Sequence, residues 1–241
     1  MTPHPFGFAD IGRALAEGWV MTKATLAASL VYAGLFALIG ALILGGLLLE
    51  GFTPFVIAAA GAFMLVGPAL LAGFFGIARA HESGAKVGVG DTARGFAAAA
   101  PALWALALVC ALLFMIFVTD AAILYSYMVG GTPVWLADLP PVAPGVANFL
   151  LWGAVSGFVI AFLLYCVSVF SVPLLAERRA GLVDAVVASV RAVFGNFIPA
   201  MAWAFLLSFL IIGSILFLPL LPFALPWLAY ASRALYRRVF P

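Results

Sequence analysis

Long apolar segments, separated by short polar ones, dominate the pattern along the chain. Four of them lie at about 24–49, 53–78, 101–122 and 147–173. Each is longer than the roughly 20 residues that a helix needs to cross the hydrocarbon core of a bilayer. The pattern therefore predicts four transmembrane helices before the C-terminal region.

The C-terminal region contains a longer uncharged stretch, residues 197–232. As one helix it would far exceed a hydrocarbon core of about 30 Å. Three prolines interrupt it: Pro219, Pro222 and Pro226. Because proline inside a helix costs about 3 kcal/mol, we expect a hairpin of two spans, at about 197–217 and 218–235. The whole chain, 1–241, is then a single all-α membrane domain, a polytopic bundle of six transmembrane helices.

Short amphipathic segments precede the odd-numbered spans, and they resemble one another. Each has an aspartate near its start and an arginine further on: Asp10 and Arg13, Asp91 and Arg94, Asp184 and Arg191. Each even-numbered span has a proline before its basic end: Pro68, Pro173 and Pro226. An interfacial helix followed by two spans, used three times in parallel, would explain the pattern. Chance similarity between apolar sequences is the alternative.

The third amphipathic segment lies within residues 174–199, where the charge density is high. We expect a short helix on the inner leaflet, with Leu182, Val186, Val190 and either Val193 or Phe194 facing the acyl chains. Four charged side chains are candidates for contacts with lipid headgroups or a partner protein: Arg178, Arg179, Asp184 and Arg191. Solvated charges that only fix the orientation of the chain are the alternative.

Composition and charge define the class and the orientation. The chain is 67% hydrophobic and 8% charged, with a mean hydropathy of +1.26, whereas soluble domains carry roughly 25% charged residues. With six spans, all 11 Lys and Arg residues fall on one side. The positive-inside rule makes that side, and both termini, cytoplasmic. The net charge of +2 gives no indication of nucleic-acid binding.

Few residues suggest chemistry. The two histidines, His4 and His81, lie outside the spans, so we expect no haem, no metal and no other cofactor. The cysteines, Cys110 and Cys166, lie in apolar runs and are expected to be packed thiols. No nucleophile is paired with a base, so we expect that the protein is not an enzyme. Asp120 is a candidate ion or proton site within a span, or else an aspartate at the outer interface.

Small residues and prolines indicate how the helices pack. Gly153 and Gly157 form a GxxxG face, which allows close helix–helix approach. Gly67 with Pro68, and Pro173 and Pro226, are candidate helix-breaking positions. Tight packing within the bundle is one interpretation of these faces, and contact with a partner helix is the other.

Three stretches of the sequence resemble a known family. They are "GWV…SLVYAGLFALIGALIL" within 18–44, "FMLVGPALLAGFFGIARAHESG" at 63–84, and "SVPLLAERRAGLVDAVVASVRAVFGNFIPAMAWAFL" at 171–206. They look like the bacterial integral-membrane family called domain of unknown function 2189. The resemblance implies a multi-pass protein of the bacterial inner (cytoplasmic) membrane. It implies no activity and no catalytic residues.

The functional expectation that follows is a non-enzymatic accessory, assembly or scaffold subunit of a larger membrane complex, in contact with membrane lipids. The alternative is a transporter or channel for a small solute, protons or lipid, with a site near the middle of the bundle.

Overall fold

The computed structural model describes residues 2–52, 67–130 and 144–241, and within these ranges the chain is helical with no strand. The helices in chain order are α1 (Phe8–Ala24), α2 (Leu26–Leu49), α3 (Gly67–Glu82), α4 (Gly90–Ala98), α5 (Pro101–Val129), α6 (Pro144–Ser168), α7 (Ser171–Ala176), α8 (Leu182–Gly195), α9 (Phe197–Leu216) and α10 (Leu221–Val239). A 3₁₀ turn, Leu218–Leu220, joins α9 to α10. The prediction of an all-α membrane bundle is confirmed at this level.

Four helical segments of the described chain are long and apolar enough to cross a membrane. They are α2, α5, the segment Gly145–Ala176 that runs through α6 and α7, and α9. The other two predicted spans are not among them. Of the predicted span 53–78, residues 53–66 lie outside the described residues, and 67–78 belong to α3, which has 16 residues. The predicted span 218–235 corresponds to the 3₁₀ turn and most of α10.

The predicted break in the C-terminal apolar stretch is confirmed. Helix α9 ends at Leu216, and Phe217 leaves the helical region with φ −117° and ψ 76°. The turn begins at Leu218 with Pro219 in its first positions, where the missing N–H of proline costs nothing. Pro226, by contrast, lies inside α10 without ending it.

Each short amphipathic helix packs against one or two other helices. Helix α1 runs along α10, α4 runs along α3, and α8 packs on α6 and α7. The first two contacts are close because glycine lies at the crossing. A Cβ at Gly18 would stand 2.6 Å from the Ala231 backbone nitrogen, and one at Gly76 would stand 2.7 Å from the Gly95 Cα. The buried face of α8 consists mainly of alanines, namely Ala185, Ala188 and Ala192, together with Ser189 and Val193.

The orientation of α8 differs from the sequence-based expectation. Leu182, Val186 and Val190 are half-buried and pack against the main core instead of facing acyl chains. Val183 and Val187 are the exposed hydrophobic residues of this helix, together with Phe194. Small side chains let two helices approach closely. The alanines therefore lie at the centre of the contact, and the neighbouring apolar residues lie at its edge.

The helices α1 and α4 begin in the same way. The backbone N–H of Gly7 donates to the Asp10 carboxylate at 3.0 Å, and that of Gly88 donates to the Asp91 carboxylate at 2.9 Å. Each aspartate thus satisfies an N–H group that the helix itself cannot satisfy. The third short helix has the same Gly-x-x-Asp spacing, in residues 181–184.

Candidate functional site

A buried arginine joins the ends of three helices. Arg233, near the end of α10, has a side chain that is only 4% exposed. Its Nη1 and Nη2 donate to the two carboxylate oxygens of Glu82, at the end of α3, at 2.6 and 3.0 Å. Its Nε donates to Oε1 of Glu177, directly after α7, at 3.0 Å. All three guanidinium nitrogens are therefore used within the protein.

A second arginine reinforces the same pair of carboxylates. Arg237, one turn further along α10, lies 2.9 Å from Oε1 of Glu82 and 3.3 Å from Oε1 of Glu177. We call these four residues, Glu82, Glu177, Arg233 and Arg237, the helix-end junction. Burial alone would raise the pKa of Glu82. The hydrogen bonds and charges of the two arginines outweigh burial, and they hold this pKa below its usual range.

Two further arginines bind backbone carbonyl groups around the junction. Arg79 of α3 donates to the carbonyl of Ala176 at 3.4 Å. Arg179 donates to the carbonyl oxygens of Phe240 and Pro241 at 2.6 and 2.7 Å. Burial, and then the positive charge of Arg233, lower the pKa of Arg79. Arg79 thus binds the end of α7 next to the junction, and Arg179 binds the C-terminal segment.

Helix α1 is connected to α10 by charged groups as well. Arg238 pairs with Glu17, and its Nη1 lies 3.7 Å from the Asp10 carboxylate. The Nε atom of Arg238 is buried and has no hydrogen-bond partner among the described residues.

A cavity of 210 Å³ lies where α1, α3 and α10 meet. Charged side chains dominate its lining, which also includes the phenol of Tyr230. The charged members are Glu17, Glu82, Arg233, Arg237 and Arg238.

Two further cavities lie among the apolar helices. The larger, of 340 Å³, is bounded by residues of α3, α5, α6 and α9, and the smaller has 150 Å³. Pro68 and Ser168 line both of them, so the two cavities are neighbours. Their walls are mainly apolar, and the larger also exposes the hydroxyl-bearing side chains of Tyr165 and Ser208.

The charged residues singled out from the sequence have different surroundings. Asp120 lies in α5, where its Oδ2 is buried without a hydrogen-bond partner in the described chain, and it lines none of these three cavities. Arg178 is exposed and reaches the carbonyl of Ala99 at 3.4 Å. Asp184 and Arg191 are exposed on α8.

The predicted packing residues lie in different surroundings. Gly157 receives the Phe117 ring of α5, whose Cε2 would be 3.0 Å from a Cβ, whereas Gly153 faces the larger apolar cavity. Gly67 lines the smaller cavity and has open space at its Cα. Pro173 is buried within α7, and Pro226 is buried inside α10.

Sequence reasoning did not single out the helix-end junction. The sequence feature that indicates the junction is a carboxylate among basic residues at each of two helix ends. Glu82 follows Arg79, and Glu177 precedes Arg178. Lysine and arginine set the orientation of a membrane protein, and glutamate contributes little to it. A glutamate among these basic residues is therefore better explained by an ion-pairing role. Among the described residues no group of three or more His, Cys, Asp and Glu side chains is placed to hold a metal ion.

The comparison with family models agrees with this architecture. The family described as predicted integral membrane protein (DUF2189) matches residues 55–177, slightly more than half of the chain. The chain belongs to this family of integral membrane proteins. The match includes the whole of the stretch at 63–84 and the first residues of the stretch at 171–206. No curated protein and no solved structure matches the chain.

Proposed function

We propose that this protein is a non-enzymatic, six-span protein of the bacterial inner membrane that serves as an accessory, assembly or scaffold subunit of a larger membrane complex. The observation that carries the proposal is the helix-end junction. Its buried arginine is committed to two carboxylates of the same chain, so this ion pair stabilises the architecture.

The strength of this connection supports a scaffold role. Removing one partner of a buried ion pair typically costs 3–5 kcal/mol, because an uncompensated charge stays behind. The junction therefore holds the ends of α3, α7 and α10 in one arrangement. Such a rigid end is suited to presenting a fixed surface to another protein.

The location of the basic residues supports six spans with both termini in the cytoplasm. The joined helix ends bring Arg79, Arg179, Arg233 and Arg237 together. If this side is cytoplasmic, α3 carries the cytoplasmic end of the predicted second span and α10 forms the sixth. Both helices then run from the outer side to the junction.

The pairing of the short helices supports a threefold repeat. Helix α4 packs on α3, α8 packs on α7, and α1 packs on α10. Helices α4 and α8 each lie next to the span that precedes them in the chain. Helix α1, the first helix, lies in the same way next to the last span. In the proposed arrangement three equivalent units close into a ring, with the two chain ends side by side.

Affinity purification at native expression level in a mild detergent, with mass spectrometry of proteins and lipids, tests the proposed role. We expect a stoichiometric membrane-protein partner. Asp184 and Arg191 are exposed on α8, so Arg191→Glu is expected to weaken the association. Lys86→Glu, at an exposed cation between α3 and α4 that forms no ion pair in the described chain, is the matched control. A stable protein without any partner would contradict the proposal.

A transporter or carrier of a hydrophobic solute is the second candidate, favoured by the two neighbouring cavities that share Pro68 and Ser168. Interrupted helices around a cavity are a common way to build a transport site. The same purification separates the two functions, because a carrier is expected to copurify with a specific lipid or apolar molecule and with no partner subunit.

A further inference from the structure

The two apolar cavities are lined by serine hydroxyl groups that the described chain leaves without a hydrogen bond. Ser208 of α9 lines the cavity of 340 Å³. Ser168, at the end of α6, lines this cavity and also the neighbouring one of 150 Å³. Neither side chain has a hydrogen-bond partner among the described residues. The hydroxyl of Tyr165 on the same wall, by contrast, donates to the carbonyl of Ala200 at 2.6 Å.

Two other hydroxyl groups of the long apolar helices bond to the backbone of their own helix. Thr119 donates to the carbonyl of Met115 at 2.8 Å, and Ser214 donates to the carbonyl of Ile211 at 2.9 Å. Serine and threonine in membrane helices commonly form this local bond. A hydroxyl without a partner in apolar surroundings is costly. An acceptor oxygen inside the cavity would remove this cost for Ser208, which lies in the same helix as Ser214.

The surroundings of the two free hydroxyl groups indicate an uncharged ligand. None of the described side chains that line the two cavities is charged, and burying an ion without a counter-charge is costly. Ser208 lies close to the middle of α9, which is one of the segments able to cross a membrane. The polar headgroups of bilayer lipids lie outside the hydrocarbon core. The ligand must therefore be a neutral molecule that carries its acceptor groups into this core.

The walls and the volume of the larger cavity indicate a ring. Its lining includes four aromatic side chains, Phe114 and Phe117 of α5 with Phe158 and Tyr165 of α6. Aromatic rings attract one another beyond the burial of their surface. An apolar cavity of about 150 Å³ is large enough for benzene, so 340 Å³ accommodates a substituted six-membered ring. The smaller cavity continues from Ser168 and gives room for an apolar chain attached to the ring.

We propose that the two cavities together bind an isoprenoid quinone, an uncharged membrane-soluble ring compound with two carbonyl acceptors. The quinone ring lies in the larger cavity, where the hydroxyl groups of Ser168 and Ser208 donate to its carbonyl oxygens. The first part of the isoprenoid chain enters the smaller cavity. The assignment rests on the cavities that favour a carrier of a hydrophobic solute, but a bound quinone is equally compatible with an accessory subunit.

Native mass spectrometry of the full-length protein, purified and delipidated in detergent, tests the assignment. Decylubiquinone supplies the ring, the carbonyl groups and a short chain, and decylbenzene supplies a ring and the same chain without carbonyl groups. We expect decylubiquinone to bind at least about tenfold more tightly, because it gains two hydrogen bonds. Equal binding of the two compounds would overturn the proposal. Equally tight binding of didecanoylglycerol would overturn it as well, by assigning the cavities to a lipid ester.

Serine variants separate the hydrogen bonds from apolar packing. Ser168→Ala and Ser208→Ala are each expected to weaken the binding of decylubiquinone about fivefold and to leave the binding of decylbenzene unchanged. Ser214→Ala removes a hydroxyl of α9 that lines neither cavity, and it is expected to keep the wild-type affinity. Wild-type affinity for decylubiquinone in both cavity variants would refute the proposed contacts.

A larger side chain at Gly153 tests the location of the ring. Gly153 lines the larger cavity, and a Cβ there meets nothing within 4 Å, so Gly153→Leu is expected to abolish the binding of both ring compounds. Gly46→Leu is the control on α2, where a Cβ also meets nothing within 4 Å. Unchanged binding to Gly153→Leu would overturn the proposal. Because the purified protein is used without a partner and without transport, this result is separate from a failure of the proposed function.

Discussion

At the scale of single residues, Arg233 is held by charge and by packing. Its guanidinium lies between two carboxylates, and it also stands 5.6 Å from the centroid of the Phe75 ring. A buried cation needs such partners, because its transfer out of water is costly. The surrounding helix ends supply them from three distant parts of the sequence, so the arginine is satisfied only in the folded chain.

The Glu82 carboxylate of the junction makes stability depend on pH. The pKa of Glu82 is lowered in the folded protein, so its contribution is complete above the ordinary glutamate pKa of about 4.3 and is lost as the pH falls through the folded-state pKa. We expect the melting temperature in detergent, followed by tryptophan fluorescence, to fall steeply below about pH 4.3.

Glu82→Gln checks this interpretation. The variant is expected to melt at a lower temperature than the wild type at neutral pH and to lose part of the steep decline in acid. Glu50→Gln changes an exposed glutamate after α2 and serves as the control with wild-type behaviour. A pH profile of Glu82→Gln that parallels the wild type would exclude Glu82 as a source of the acid sensitivity.

The sequence showed that charged residues are concentrated around Glu177, but it did not show which residues they pair with. The high charge density around Glu177 was evident, but Arg178, Arg179, Asp184 and Arg191 were expected to face headgroups or a partner protein. In the structure Arg179 binds the C-terminal carbonyl groups. Residues 82, 177 and 233 are far apart in the sequence and meet only in the folded protein. The hydrophobic pattern of one sequence does not reveal which distant residues meet.

At the scale of elements, the contact between α1 and α10 depends on a glycine. The Cα of Gly18 faces the α10 backbone so closely that a Cβ would lie 2.8 Å from the carbonyl oxygen of Trp227. The indole Nε1 of Trp227 in turn donates to the carbonyl of Leu15 at 2.9 Å. Close approach and a hydrogen bond thus fix the position of α1 along α10.

Gly18→Ala is expected to force α1 and α10 apart. Because the opposing atoms belong to backbone, they cannot rotate away, and overpacking of this kind typically costs about 1–3 kcal/mol. Gly12→Ala is the matched control in the same helix, where a Cβ meets nothing within 4 Å. We expect this control to gain about 0.5–1 kcal/mol from the reduced flexibility of alanine. Denaturation in mixed micelles measures both.

An equal gain in the two variants would mean that helix propensity, and not the α1–α10 contact, determines the result. The periodicity of the sequence was sufficient to predict α1, α4 and α8 as short amphipathic helices. It was less informative about their faces, because alanine and glycine carry little hydrophobic signal. These small residues nevertheless determine which side of α8 is buried.

At the scale of the whole molecule, the two chain ends lie together. The backbone N–H of His4 donates to the carbonyl of Val239 at 2.9 Å, and Phe6 packs against Phe170 with ring centroids 5.9 Å apart. The ends can meet only on one side of the membrane, which requires an even number of spans. Both the four segments that length and composition identify and the six predicted from the sequence satisfy this condition.

Cysteine labelling from either side of the membrane distinguishes four spans from six. Starting from a chain in which Cys110 and Cys166, both buried, are replaced by alanine, Glu50→Cys and Ser83→Cys place one thiol before and one after the predicted second span. With six spans, a membrane-impermeant maleimide is expected to label Glu50→Cys in intact cells and Ser83→Cys only after permeabilisation. Labelling of both positions from the same side would show that the chain does not cross the membrane between residues 50 and 83, which would contradict the predicted second span. His4→Cys is the internal reference, because with six spans the N-terminus is expected in the cytoplasm.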